Sequence, residues 1–187
     1  MYLRGFMISG EKIKIRLVKE KDLDELFSRL QNAAYRFEGF ISKIEPEHIM
    51  REKFQKHGFW QKDSGMMVIV NQKDHVLGCL VYQNCDVYHA IDIKYAIFED
   101  EDRGKGYMKE ALKLFSSYLF AIKEINRLQL AIPDYHRASI AVAQKCGYKF
   151  EGIARGAAFS KGRYIDLCIY AKLRDEAIEN IKTDIAS

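Results

Sequence analysis

Glu101-Asp102-Arg103-Gly104-Lys105-Gly106-Tyr107 lies between an apolar run, Ile91 to Phe98, and a helical pattern, Met108 to Ile122, and this junction decides the fold. Upstream, Ile91, Ile93, Tyr95 and Ile97 alternate with Asp92, Lys94 and Ala96, the period of a strand with one buried face. Downstream, Met108, Leu112, Phe115, Leu119 and Ile122 recur every three or four residues, the period of an amphipathic helix. A strand therefore feeds a glycine-punctuated turn that opens a helix. The first amides of a helix lack internal partners, and the aligned peptide dipoles add partial positive charge there. Gly104 and Gly106 let a ligand approach the backbone closely, and Arg103 and Lys105 add charge beside it. The expected ligand is a phosphate or pyrophosphate.

Two common phosphate loops are disfavoured. Lys105 is followed by Gly106 rather than Ser or Thr, unlike a P-loop, and the third glycine of a dinucleotide fingerprint is missing. At 187 residues and 48% hydrophobic, the chain suits one domain spanning 1–187, with a core over about 13–173 and a charged, loosely held tail over 174–187. A net charge of +4 spread among 26 acidic residues forms no nucleic-acid-binding stripe. No apolar run suits a signal peptide or a membrane span, so a soluble, cytoplasmic protein is expected. Cys79, Cys85, Cys146 and Cys168 form no Cys-x-x-Cys pair, which points to a reduced compartment and away from metal ligation.

Along the chain, Lys12 to Val18 reads as a strand, and Asp22 is placed to cap a helix carrying Leu23, Leu26, Phe27 and Leu30. A second helix is expected from about Pro46 to His57, stopped by Gly58. Met66 to Val70 and Val76 to Tyr82 read as a hairpin around Asn71 to His75, followed by the strand that ends at Phe98. Arg127 to Ile132 reads as a strand, Arg137 to Cys146 as a short helix closed by Gly147, and Tyr164 to Leu173 as a returning strand. Successive antiparallel strands before the phosphate-binding helix argue against a doubly wound parallel fold.

The Arg103 to Tyr107 loop, Glu110-Ala111-Leu112, His136-Arg137-Ala138-Ser139, Gly147-Tyr148 with Glu151-Gly152, and Gly162-Arg163-Tyr164-Ile165-Asp166-Leu167 occur in that order. Together they resemble the GNAT superfamily of acyl-CoA N-acyltransferases, and within it the ribosomal-protein N-terminal acetyltransferases of the RimJ/RimL type. The resemblance implies an α/β fold of the α+β type: a mixed, mostly antiparallel sheet of about six or seven strands, with helices on both faces. It also implies acetyl transfer from acetyl-CoA to an amine by direct attack.

In that scheme the backbone from Arg103 through Gly104, Lys105, Gly106 and Tyr107 to Met108 holds the pyrophosphate. Ala96, Ile97 and Phe98 pair with the pantetheine arm, and the Ile97 N–H faces the thioester oxygen. His136, Arg137 and Ser139 are further cofactor contacts, although the family usually has asparagine at position 136. The early helices wall the acceptor cleft, making Tyr35, Arg36, Glu38 and His48 candidate substrate contacts; Tyr35, Phe37 and Phe40 would equally serve as core cover.

The catalytic positions depart from the family. The glutamate of the ribosomal-protein group aligns with Ala158, and the tyrosine that protonates the leaving thiolate in many members aligns with Ala143. Asp92 becomes the first substitute base, ahead of Glu38 and His48, and Ser139 the candidate proton donor; a solvent-facing strand residue and a helix-start hydrogen bond are the plain alternatives. The acceptor is expected to be a protein N-terminal amine. A polyamine, amino sugar or antibiotic is the alternative, and a non-catalytic acyl-CoA-binding module is the rival of another class. Either a monomer or a homodimer suits the residues.

Overall fold

The computed structural model describes residues 6–35, 45–85 and 89–177. They fall into two compact units, one drawn from Met1–Tyr82 and Lys94–Leu114, the other from Gln83–Ile93 and Phe115–Ser187. In chain order the elements are β1 (Met7–Ser9), β2 (Lys14–Leu17), α1 (Leu23–Tyr35), α2 (Glu47–His57), β3 (Ser64–Val70), β4 (Val76–Cys85) and β5 (Ala90–Ile97). There follow α3 (Tyr107–Ile122), β6 (Arg127–Pro133), α4 (Arg137–Lys145), β7 (Lys149–Ser160) and β8 (Arg163–Leu173). The strands bond in the order β1-β2-β3-β4-β5-β6-β8-β7. β5 and β6 run parallel, while β1–β2, β2–β3, β6–β8 and β7–β8 are antiparallel. Among the described residues no helix is long and apolar enough to cross a membrane.

The sheet has eight strands, where six or seven were expected. β1 is only three residues long, too short to show a period. β7 hides for another reason: it is largely exposed with no fully buried residue, carries Gly152 and Gly156, and shifts register between Phe150 and Gly152 and between Ala154 and Ala158. Irregular pairing removes the strict alternation that betrays a strand.

In the first unit, Val18 just after β2, one face of α1 (Leu23, Leu26), Met50 of α2, alternate residues of β3 (Val68, Val70), Val76 and Cys79 of β4, and Phe98 converge on one core. Burial pushes the Cys79 thiol up to about 12, so it packs as a small hydrophobe. α2 begins after Pro46 and ends where Gly58 turns left-handed at φ 59°, as a fixed proline φ at the start and a glycine at the stop dictate. Asp22 does not cap α1. Its carboxylate turns back to the Lys19 amide (2.8 Å) and to the buried Arg16 guanidinium (2.6 and 3.0 Å), because a buried cation needs a paired anion more than an exposed helix end needs a cap.

Gly78 on β4 determines how β5 ends. A Cβ at this position would lie 2.1 Å from the Ala96 carbonyl oxygen and 3.1 Å from the Ile97 Cα. Only glycine lets the backbone of β5 pass this close, and the next residue is then secured by the Phe98 N–H bonding the Leu77 carbonyl at 3.0 Å.

In the second unit, the Ser116 and Tyr148 hydroxyls pair at 2.8 Å in the interior, and the buried Lys172 ammonium donates to the Cys146 carbonyl at 3.1 Å. The expected loose tail starts tightly held. Arg174 donates to the carbonyls of Phe120 (2.7 Å), Lys123 (2.7 Å) and Ile125 (2.9 Å), placing a cation at the C-terminal end of α3, where the helix dipole favours it. Residues 178–187 lie outside the described residues.

Gly78→Ala is expected to lower stability by about 2 kcal/mol, the cost of forcing a methyl group into packed backbone. Urea denaturation checks this, and a wild-type midpoint would show that β5 yields freely.

Candidate active site

The turn between β5 and α3 has the open backbone that its glycines promise. A short 3-10 turn over Asp100–Asp102 leads into Arg103. Gly104 and Gly106 then adopt φ values of 76° and 86°, and the Gly106 carbonyl accepts the Glu110 N–H (3.2 Å) to start α3. A Cβ at Gly104 would meet nothing within 4 Å, and one at Gly106 would meet only the Lys12 Nζ, at 3.7 Å. The space above the loop is therefore free, and the amides ahead of the first intrahelical bond are available to an anion.

The two loop cations are less free than the sequence implies. Arg103 pairs with Asp100 at 2.7 Å and also donates to the Ile97 carbonyl at 3.4 Å. Lys105 pairs with Asp102 at 3.1 Å, a hydrogen bond that raises its pKa, and lies 5.9 Å from the Tyr107 ring centroid. Lys12, which sequence reading passed over, donates from Nζ to the Lys105 carbonyl at 3.3 Å. It arrives from 93 residues away, and no local pattern signals it.

The first unit also gathers the end of β5. Ala96 and Ile97 are half-buried and Phe98 is buried. Arg29 of α1 lies 5.9 Å from the Phe98 ring centroid and pairs with both Glu99 and Glu25. Ala96, Ile97, Phe98 and the Arg103 to Met108 loop thus share one unit, with Arg103 bridging strand and loop.

Asp92, His136, Arg137 and Ser139 belong to the second unit. The His136 ring caps α4, its Nδ1 accepting the Ser139 N–H at 3.2 Å. That bond leaves the neutral ring's proton on Nε2, as a donor. Asparagine, the residue that the resemblance leads one to expect at 136, also caps helices through a side-chain acceptor. Arg137 is exposed and Ser139 half-buried. Asp92 is half-buried and accepts the Gln129 amide at 3.0 Å. Gln129 in turn accepts from Arg127 at 2.7 Å, and Arg127 pairs with Glu151 at 2.5 Å.

Of the expected acceptor contacts, His48 is exposed on α2 and Tyr35 ends α1, with its side chain outside the described residues. Arg36 and Glu38 also lie outside them. No cluster of three or more His, Cys, Asp or Glu suited to a metal occurs among the described residues.

Residues 12–149 match the family model described as the acetyltransferase (GNAT) domain. The chain belongs to the GNAT family. It is 23% identical over 168 residues to an uncharacterized SPbeta prophage-derived N-acetyltransferase, YokL, of Bacillus subtilis, covering 90% of this chain and 93% of that one. Among solved structures, the RimL ribosomal L7/L12 alpha-N-protein acetyltransferase in complex with coenzyme A aligns with a TM-score of 0.79 at 19% identity, over 91% of this chain and 99% of that one. Spermidine N-acetyltransferase from Vibrio cholerae, in complex with CoA and spermine, aligns with a TM-score of 0.77 at 18% identity, over 89% and 98%. The GNAT protein is an acetyl-CoA-dependent N-acyltransferase with a mixed, mostly antiparallel sheet. The open glycine turn fits the pyrophosphate of its acyl donor.

Gly104→Val is expected to weaken CoA binding by at least about tenfold, because a branched side chain disfavours positive φ and fills the space above the loop. Calorimetry checks this, and unchanged affinity would remove the loop from the cofactor site.

Proposed function

We propose that this GNAT protein transfers the acetyl group of acetyl-CoA to the α-amine of a protein N-terminus. The observation that carries this choice of acceptor is the state of the carboxylates on the helices assigned by resemblance to the acceptor wall. Glu47 pairs with Arg51 at 2.6 Å and Glu25 with Arg29 at 2.9 Å. Asp24 pairs with Arg51, and Glu45, just before α2, pairs with Lys53, which leaves Glu52 as the one carboxylate of α1 and α2 without an ion pair among the described residues. A polycation needs acidic groups that are not already neutralised, whereas a single N-terminal amine needs far fewer. The likeness to a RimL structure supports the same acceptor.

Acetyl-CoA supplies an acetyl group activated as a thioester. The chain's own groups then divide the work. The Arg103 N–H is already bonded to the Asp100 carbonyl at 3.1 Å, so amides from Gly104 to Met108 hold the pyrophosphate, with Arg103 beside them, and Ala96 to Phe98 offer backbone to the pantetheine arm. The Ile97 N–H donates to the carbonyl oxygen on which negative charge develops. The Asp92 carboxylate accepts a proton from the amine, directly or through a water, and the Ser139 hydroxyl donates one at the leaving sulfur. His136 through Nε2, together with Arg137, adds contacts to the cofactor arm.

A small-amine acceptor is the second reading, favoured by the likeness to the spermine-bound structure. Thiol release from acetyl-CoA with three acceptor pools separates the two: peptides with free N-termini, polyamines, and amino sugars including aminoglycosides. Release is expected with the peptide pool. Release confined to polyamines or amino sugars would replace the N-terminal reading. Tight acetyl-CoA binding without turnover on any pool would make the protein a binding module.

The base has its own test. A carboxylate base works only when ionised, so the rate rises with pH through its pKa. Asp92→Asn is expected to lower kcat more than cofactor affinity and to abolish the acid limb of the pH–rate profile. An intact acid limb would remove Asp92 as the base.

A further inference from the structure

We infer that Lys12 is a cofactor-binding residue, its ammonium neutralising the pyrophosphate of acetyl-CoA; this rests on residues 103–108 being the phosphate cradle. The main chain of Lys12 is fixed against the first turn of α3. Its N–H points at both carboxylate oxygens of Glu110, each at 3.2 Å. This docking depends on Gly10, where a Cβ would fall 2.0 Å from a Glu110 oxygen and 3.1 Å from the Leu114 side chain. The Gly10 N–H closes the turn onto the Ile13 carbonyl at 2.9 Å. Backbone position is thereby set, and the exposed side chain alone is left to move.

That side chain ends at the cradle. Nζ donates to the Lys105 carbonyl at 3.3 Å and lies 3.7 Å from where a Cβ on Gly106 would be. An ammonium has three donors, so keeping the carbonyl leaves two for phosphate oxygens.

Charge balance gives the interaction its purpose. Glu99, Asp100, Glu101 and Asp102 precede the loop, against only Arg103 and Lys105 within it. Both loop cations are paired with carboxylates, Asp100 and Asp102. Lys12 makes no ion pair with a carboxylate among the described residues; its ammonium is held by a neutral carbonyl. Of the three cations at the loop, Lys12 therefore brings the least compensated charge to a bound dianion.

The test is calorimetric binding of CoA and of 3′-dephospho-CoA to wild type, Lys12→Met, Lys12→Arg and Gly104→Val. Lys12→Met is expected to weaken both ligands equally, by about fivefold to tenfold, with the gap narrowing in high salt as screened charges require. Lys12→Arg should recover most of the affinity. A loss seen with CoA and absent with 3′-dephospho-CoA would overturn the pyrophosphate assignment in favour of the 3′-phosphate. Wild-type affinity in Lys12→Met, with Gly104→Val still impaired, would overturn the role of Lys12 and leave the cradle standing. Wild-type affinity in both variants would overturn the cradle itself.

Discussion

The start of a helix can receive an anion only where no protein atom covers its amides, and the first unit leaves the turn before α3 uncovered at Gly104 and Gly106. Left-handed φ values at Gly104 and Gly106 turn the chain without placing side chains over the loop. Glu110, one turn into the same helix, receives the backbone of Lys12 and holds the segment before β2 alongside the cradle. Glycine is required at position 78, where the backbone of β5 passes closer than a Cβ permits, and at position 10 its bare Cα leaves room for the Glu110 carboxylate, which a Cβ would push aside. Four glycines thus act on one end of one helix and on the strand that leads to it. Two leave the loop surface uncovered and two admit the protein's own packing.

The junction of β5, loop and α3 was legible because a period of two gives way to one of 3.6 across a pair of glycines, and local sequence records all three features. The limits of α2 and the end of α4 were legible for the same reason, through Pro46, Gly58 and Gly147. β7 was not, because its glycines and register shifts erase alternation. Gly78 sits in the apolar run Leu77-Gly78-Cys79, and its meaning lies in Ala96, a partner that the run cannot name. Lys12 and Asp22 failed alike: one reaches a carbonyl 93 residues away, and the other answers a buried arginine rather than its own helix. What sequence missed was contact at a distance.

His136, where the resemblance leads to an asparagine on the cofactor arm, takes on a structural task that its chemistry allows. A cap requires one acceptor aimed at the helix amides, and the Nδ1 of an uncharged imidazole supplies it to Ser139. The remaining Nε2–H is a donor, as an asparagine amide is, although it extends from a stiffer and larger ring. The cap also orients the first residues of α4, so His136 and Ser139 are positioned by the same hydrogen bond.

Ala143 shows that a missing catalytic side chain belongs to the packing as well as to the chemistry. It is fully buried on α4, and its carbonyl accepts the Tyr148 N–H at 3.0 Å. A tyrosine at this position would have to displace its neighbours, so the alanine is part of a closed interior. Proton delivery to the leaving sulfur must then come from elsewhere or be dispensable. A thiol with an ordinary pKa of about 8.5 leaves as a thiolate without strong acid help, whereas an amine protonated at neutral pH cannot attack until it gives up its proton. If Ala143 and Ala158 stand where the resemblance puts the family's tyrosine and glutamate, the absence of the first costs the reaction less than the absence of the second, because taking the proton from the amine is the harder requirement.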